Sequence, residues 1–283
     1  MPMRWEIRED SGIEKSLFLD NGIIEVGIPL NYGLRISHFS FYKGENVFFE
    51  QPMGMKDLTT EEGWRIRGGH RLWIAPESEK VYYPDNEPIS YKLLRDETGE
   101  GVEIIQREDP WLHIKKSMKI FFHGKSGLKV LHKVENTSDK ELCCSLWAIS
   151  SMAPGGVEHI PLEIREDGMD HWHRISLWDY TNLGDPRAQY TREEIRLVHL
   201  PIAERYKIGV GHPFGPVWYK NGEVIFTKSF PFCREWKYPD GNVCYETFLC
   251  KHMVEMESLS RYETILPGDS MEHLEIWELR IQK

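Results

Sequence analysis

Apolar and polar residues alternate over short runs along most of this chain, and a period of two suits strands rather than helices. Ile24-Glu25-Val26-Gly27-Ile28, Leu34-Arg35-Ile36-Ser37-His38-Phe39, Met118-Lys119-Ile120-Phe121 and Leu128-Lys129-Val130-Leu131-His132-Lys133-Val134 all carry the pattern. Successive side chains of a strand point to opposite faces, so each run offers one apolar face to a core. Turn residues punctuate the runs, as in Asp20-Asn21-Gly22, Gly124-Lys125-Ser126-Gly127, Lys220-Asn221-Gly222 and Pro239-Asp240-Gly241-Asn242. Many short strands with such turns predict an all-β sandwich or barrel. The best helical signal, Thr191-Arg192-Glu193-Glu194, fits a capping box and predicts one short helix. The last strand is expected at 273–279, after the turn Leu266-Pro267-Gly268-Asp269. No linker or repeat divides the sequence, so one domain over residues 1–283 is expected.

The formal net charge of −10 disfavours nucleic acid as a partner, because such binders carry basic faces. No apolar run reaches the 18 residues of a membrane span, and the first residues carry no apolar leader. The five cysteines form no Cys-x-x-Cys pair, which predicts reduced, buried thiols and a cytoplasmic location.

Three clusters carry chemistry. The first is Arg67-Gly68-Gly69-His70-Arg71-Leu72-Trp73-Ile74-Ala75-Pro76-Glu77. Its Gly-Gly step permits positive φ or a close backbone approach, and a short strand can follow. Arg and His bind oxygens and Trp offers a flat apolar face, a composition suited to a pocket wall. The second is Asp170-His171-Trp172-His173-Arg174, followed by Trp178-Asp179-Tyr180 and Asp185-Pro186-Arg187. His171 and His173 would share one face of a strand, but no third ligand follows by spacing, so no metal is expected. Trp172, Trp178 and Tyr180 can form a stacking platform. The third is Glu255-Met256-Glu257-Ser258, where alternation puts Glu255 and Glu257 on one face. Close like charges or burial would raise one of their pKa values, as a general base requires.

These segments resemble the galactose mutarotase-like superfamily, which includes aldose 1-epimerases and hexose-6-phosphate epimerases. The resemblance runs through Asn21-Gly22-Ile23-Ile24-Glu25-Val26, Gly33-Leu34-Arg35-Ile36, Arg67-Gly68-Gly69-His70, Glu255-Met256-Glu257-Ser258 and Leu266-Pro267-Gly268-Asp269. It implies a β-supersandwich, Glu257 as the catalytic base, and no cofactor. Two histidines of the family's epimerases have no counterpart here. Their regions read Tyr83-Pro84-Asp85-Asn86-Glu87-Pro88 and Leu146-Trp147-Ala148-Ile149-Ser150-Ser151. His70 is then the expected acid, with His171 and His173 as alternatives. Arg35, Arg71, Trp73, Glu255, His171, His173 and Arg187 are expected to bind a small sugar or sugar derivative. The expected function is an aldose 1-epimerase-like isomerase. The alternatives are a carbohydrate-binding protein without turnover, or a lyase or hydrolase of sugar acids. The sugar and the oligomeric state stay open.

Overall fold

The computed structural model describes residues 2–10, 14–96, 99–166 and 173–282. The alternating runs become antiparallel strands in three sheets. Among the described residues the only helical element is the short 3-10 turn Glu79–Tyr82. No helix among them is long and apolar enough to cross a membrane.

The helix expected at Thr191 does not form. The Thr191 hydroxyl accepts the backbone N–H groups of Glu193 and Glu194, at 3.2 and 3.0 Å. These are the bonds a helix cap would make, but here they close a turn between the strands Ala188–Tyr190 and Glu194–Val198. Ile195 and Leu197 decide the outcome, because their spacing of two buries both on one strand face.

A ten-stranded sheet includes Val224–Ser229, Ser270–Ile281, Gly127–Asn136 and Ile114–His123 side by side. The sheet that matters for function runs Ile175–Leu177, Tyr206–Val210, Tyr245–Leu249, Val254–Leu259, Leu142–Met152, Gly69–Ala75, Arg35–Ile36. Glu263–Ile265 pairs with one end of its long strand Leu142–Met152. A smaller sheet holds Arg4–Asp10, Glu14–Asp20, Ile24–Pro29 and His38–Phe41.

The two large sheets pack face to face. Phe39, Phe48, Phe226 and Trp277 form an aromatic cluster between the layers, with ring centroids 5.6–6.4 Å apart. Beside it lies a polar layer. His70 meets His132 across the sheets, Nε2 to Nε2 at 2.7 Å, and His132 Nδ1 donates to the His273 carbonyl at 2.9 Å. Ser258 donates to Glu275 at 2.6 Å, Trp277 Nε1 donates to the other Glu275 oxygen at 2.7 Å, and Lys228 lies 3.0 Å from the same carboxylate.

Burial lowers the pKa of His70 and His132, and takes His273 to about 3. A lowered pKa keeps these imidazoles neutral while the unfolded chain takes up protons below its ordinary value of about 6.5. Their contribution to stability is therefore present above that value and lost as the pH falls below it. Glu158, raised by burial to about 7, works in the opposite sense between its ordinary value and neutrality. A pH titration by side-chain nitrogen NMR should find all three histidines taking up a proton below the ordinary histidine value. Protonation of any of them at or above that value would contradict the packing described.

The Gly-Gly step behaves as its composition suggests. Gly68 and Gly69 have φ of 86° and 70°, and a Cβ on Gly68 would lie 1.8 Å from the Phe49 carbonyl oxygen. Only glycine fits there, and the tight passage sets where the next strand begins.

Candidate functional site

Alternation along Gly69–Ala75 sends His70, Leu72 and Ile74 toward the other sheet, and Arg71 and Trp73 to the outer face. The same period on Val254–Leu259 sends Ser258 inward and Glu255 and Glu257 outward. Register completes the grouping. Ile149, on the strand between them, is paired with Arg71 on one side and Glu257 on the other. Glu246 pairs with Glu257 one strand further, and Lys207 sits on the strand beyond.

The outward-facing residues of these strands floor a cavity of about 290 Å³. Trp147, Trp73, Lys207, Arg71, Glu255 and Glu257 form its base. Loops wall it with Trp64, Ile66, Tyr82, Trp178, Tyr180 and Arg205. Such a cavity, aromatic with a few convergent charges, has the make-up of a small-molecule site near the lower end of the usual range of about 300–1,000 Å³.

The charges are tightly organised. One Glu257 oxygen, Oε2, accepts from Trp147 Nε1 at 2.8 Å and from Lys207 Nζ at 3.1 Å. Its other oxygen accepts no hydrogen bond from the described residues, and the side chain lines the cavity. Lys207 Nζ also reaches Glu246 at 2.8 Å and lies 4.4 and 4.6 Å from the ring centres of Trp147 and Trp178. Burial raises the Glu257 pKa, with Lys207 opposing and Glu255 adding to the rise. Glu255 goes the other way. Burial pushes it up, but Arg71 at 2.8 Å and the Ser151 hydroxyl at 2.7 Å more than offset that and leave it below its ordinary value. Two carboxylates on one face are thus driven apart in acidity by their partners.

Of the residues expected in the site, Arg71, Trp73, Glu255 and Glu257 meet in the cavity, and Trp178 and Tyr180 from the expected stacking platform stand at its wall. His70 does not reach it. It follows Gly69 on the same strand as Arg71, so the two adjacent side chains must point to opposite faces, and His70 is sealed between the sheets. Arg35 is also buried away from the cavity. It donates to the carbonyls of Ile66 at 3.0 Å and Gly68, and so braces the loop that walls the site. Arg187 is fully buried and bound to Asp185 at 2.9 and 2.7 Å and to the Glu204 carbonyl at 2.7 Å. It supports the segment carrying Arg205 rather than touching the cavity. His173 is exposed and lies outside the cavity lining. His171 and Trp172 lie outside the described residues.

Lys207 and Trp147 were not anticipated as site residues. The one local signal is a lone lysine in the apolar strand Tyr206-Lys207-Ile208. Among the described residues, no histidine lines the cavity. For a metal, the described residues bring together His70, His132 and Glu275, with ligand atoms within 4.8 Å of one another. Hydrogen bonds and the Lys228 ammonium already satisfy that group, and it lies in the inter-sheet layer rather than in the cavity.

No protein-family profile and no curated protein matches the sequence. Solved structures do. A candidate mutarotase from Salmonella typhimurium superposes with a TM-score of 0.63 at 10% identity, over 98% of this chain and 94% of that one. A galactose mutarotase-like protein from Clostridium acetobutylicum gives 0.58 at 13% identity, over 99% of both chains. The chain has the galactose mutarotase-like fold. A candidate aldose 1-epimerase from Klebsiella pneumoniae gives 0.62 at 9% identity, over 98% of this chain and 83% of that one. At such identities the galactose mutarotase-like likeness concerns architecture, and function has to be argued from the cavity.

Proposed function

We propose that the cavity binds a small sugar or sugar derivative and interconverts its anomers, with Glu257 as general base. The observation that carries this reading is the Glu257 carboxylate itself. One oxygen is clamped by Trp147 and Lys207, and the other is left for a ligand, at the base of an aromatic cavity. Aromatic faces accept the C–H faces of a sugar ring, while Arg71, Glu255 and Lys207 suit hydroxyls.

In this mechanism Glu257 takes the proton of the anomeric hydroxyl. The bond from the anomeric carbon to the ring oxygen breaks, and the ring oxygen takes a proton. Reclosure on the other face of the carbonyl, with the protons returned, gives the other anomer. With His70 out of reach, the role of donor to the ring oxygen falls to Lys207, which lines the cavity. Its carboxylate partners hold it as an ammonium, which stabilises charge developing on that oxygen. The 3.1 Å contact with Glu257 provides a path for the proton to return, so the cycle balances without a cofactor. That no histidine among the described residues lines the cavity favours a second reading, binding without turnover. Anomer exchange followed by NMR across aldoses and uronic acids separates the two. Exchange above the spontaneous rate supports the isomerase, whereas binding with no exchange leaves a carbohydrate-binding protein.

A further inference from the structure

A second cleft of about 570 Å³ adjoins the first, and Thr60 and Tyr82 line both. We infer that this cleft holds a second sugar ring, so that the substrate is a disaccharide or longer saccharide whose free anomeric end occupies the Glu257 cavity. The inference rests on the proposed function, which requires the ring beside Glu257 to carry a free anomeric hydroxyl. Further rings must then leave through the wall.

Tyr82 is the large side chain the two spaces share. Tyr82 stands edge-on between Trp64 and Trp73, at centroid distances of 5.1 and 4.9 Å, and its hydroxyl donates to Glu77. A tyrosine held on three sides makes a rigid partition one side chain thick. Neighbouring rings of a saccharide are joined through a single bridging oxygen, so they can straddle such a partition. The far side is equipped for a sugar. Trp111 is 36% exposed, a half-open indole steadied edge-on by Tyr83 at 5.4 Å. Its backbone N–H donates to Asp109 at 2.9 Å, which pins the turn presenting it. Glu62, Glu79 and Lys80 line the same cleft. None of the three forms an ion pair or side-chain hydrogen bond with the described residues, so their polar atoms are available to hydroxyls. An apolar face ringed by uncommitted polar groups is what a sugar ring requires. The outer cleft is also larger than the inner one, so the ligand has more room beyond Tyr82 than behind it.

Calorimetric titration of the whole chain with glucose, galactose, maltose, cellobiose and lactose tests the inference. At least one disaccharide is expected to bind about 10-fold or more tighter than its own reducing-end monosaccharide. Trp111→Ala should erase that advantage and leave monosaccharide affinity unchanged. Glu62→Gln with Lys80→Ala, both exposed and tolerant of change, should weaken only the disaccharide. Monosaccharide binding with no disaccharide advantage, or a Trp111→Ala loss equal for both lengths, would overturn the second subsite and leave the proposed function standing. If no saccharide of either length binds, both readings fall.

Discussion

Replacing Glu257 with glutamine is expected to slow anomer exchange by about 10²–10⁴-fold, the usual yield of a general base, with sugar affinity nearly unchanged. Glutamine keeps the size of the side chain. Its amide oxygen can still accept from Trp147 Nε1 and Lys207, which now meet at Glu257 Oε2. What disappears is the proton acceptor. In the wild type the base is active only when ionised. Because burial raises its pKa, the acid limb of kcat/KM should fall at a higher pH than an ordinary glutamate would give. NMR line exchange and polarimetry measure both quantities. An undiminished rate in the variant would remove Glu257 from the mechanism, as would an acid limb that survives the substitution.

The largest effect on stability is expected from Lys207→Met. Its ammonium is shared by Glu246 and Glu257, and all three side chains are buried. Methionine keeps the length of the side chain and removes the charge, which leaves two buried carboxylates without their cation. Breaking a buried ion pair from one side costs about 3–5 kcal/mol. The sign with pH follows. Without Lys207 both carboxylates have folded-state pKa values above their unfolded ones, so the folded state gains protons as the pH falls. The deficit should therefore be largest near pH 8 and shrink toward pH 5.5. Urea unfolding at the two pH values measures it. A loss below about 1 kcal/mol at the higher pH would show that water or another cation takes over, and that the pair is not the buried unit described.

Much of the fold was legible because alternation and turn residues are local signals. Period two also placed Glu255 and Glu257 together correctly. The same rule, applied to His70 and Arg71, excludes both from facing one cavity if they share a strand. Composition alone groups His70 with Arg71 in a pocket wall, whereas adjacent residues of one strand face opposite sides. Thr191 misled for a related reason, since a helix cap and a strand turn begin with the same hydrogen bonds. Lys207 and Trp147 were out of reach for another cause. They join Glu257 through cross-strand register between segments 50 and 110 residues apart, and no short motif encodes that.

The cavity has a floor of paired strand residues and walls of loop residues, and this separates two design problems. Glu257, Lys207, Trp147 and Arg71 are held by ladders that a change at wall positions such as Leu58, Thr59, Thr60, Trp178, Tyr180 and Arg205 need not disturb. Libraries built at those wall positions should redirect which ligand is admitted while the proton-handling groups stay in place. The inter-sheet layer offers no such freedom, because its imidazoles and carboxylate satisfy one another across both sheets. The chain can therefore serve as a scaffold that tolerates variation on one side of a single sheet and resists it on the other.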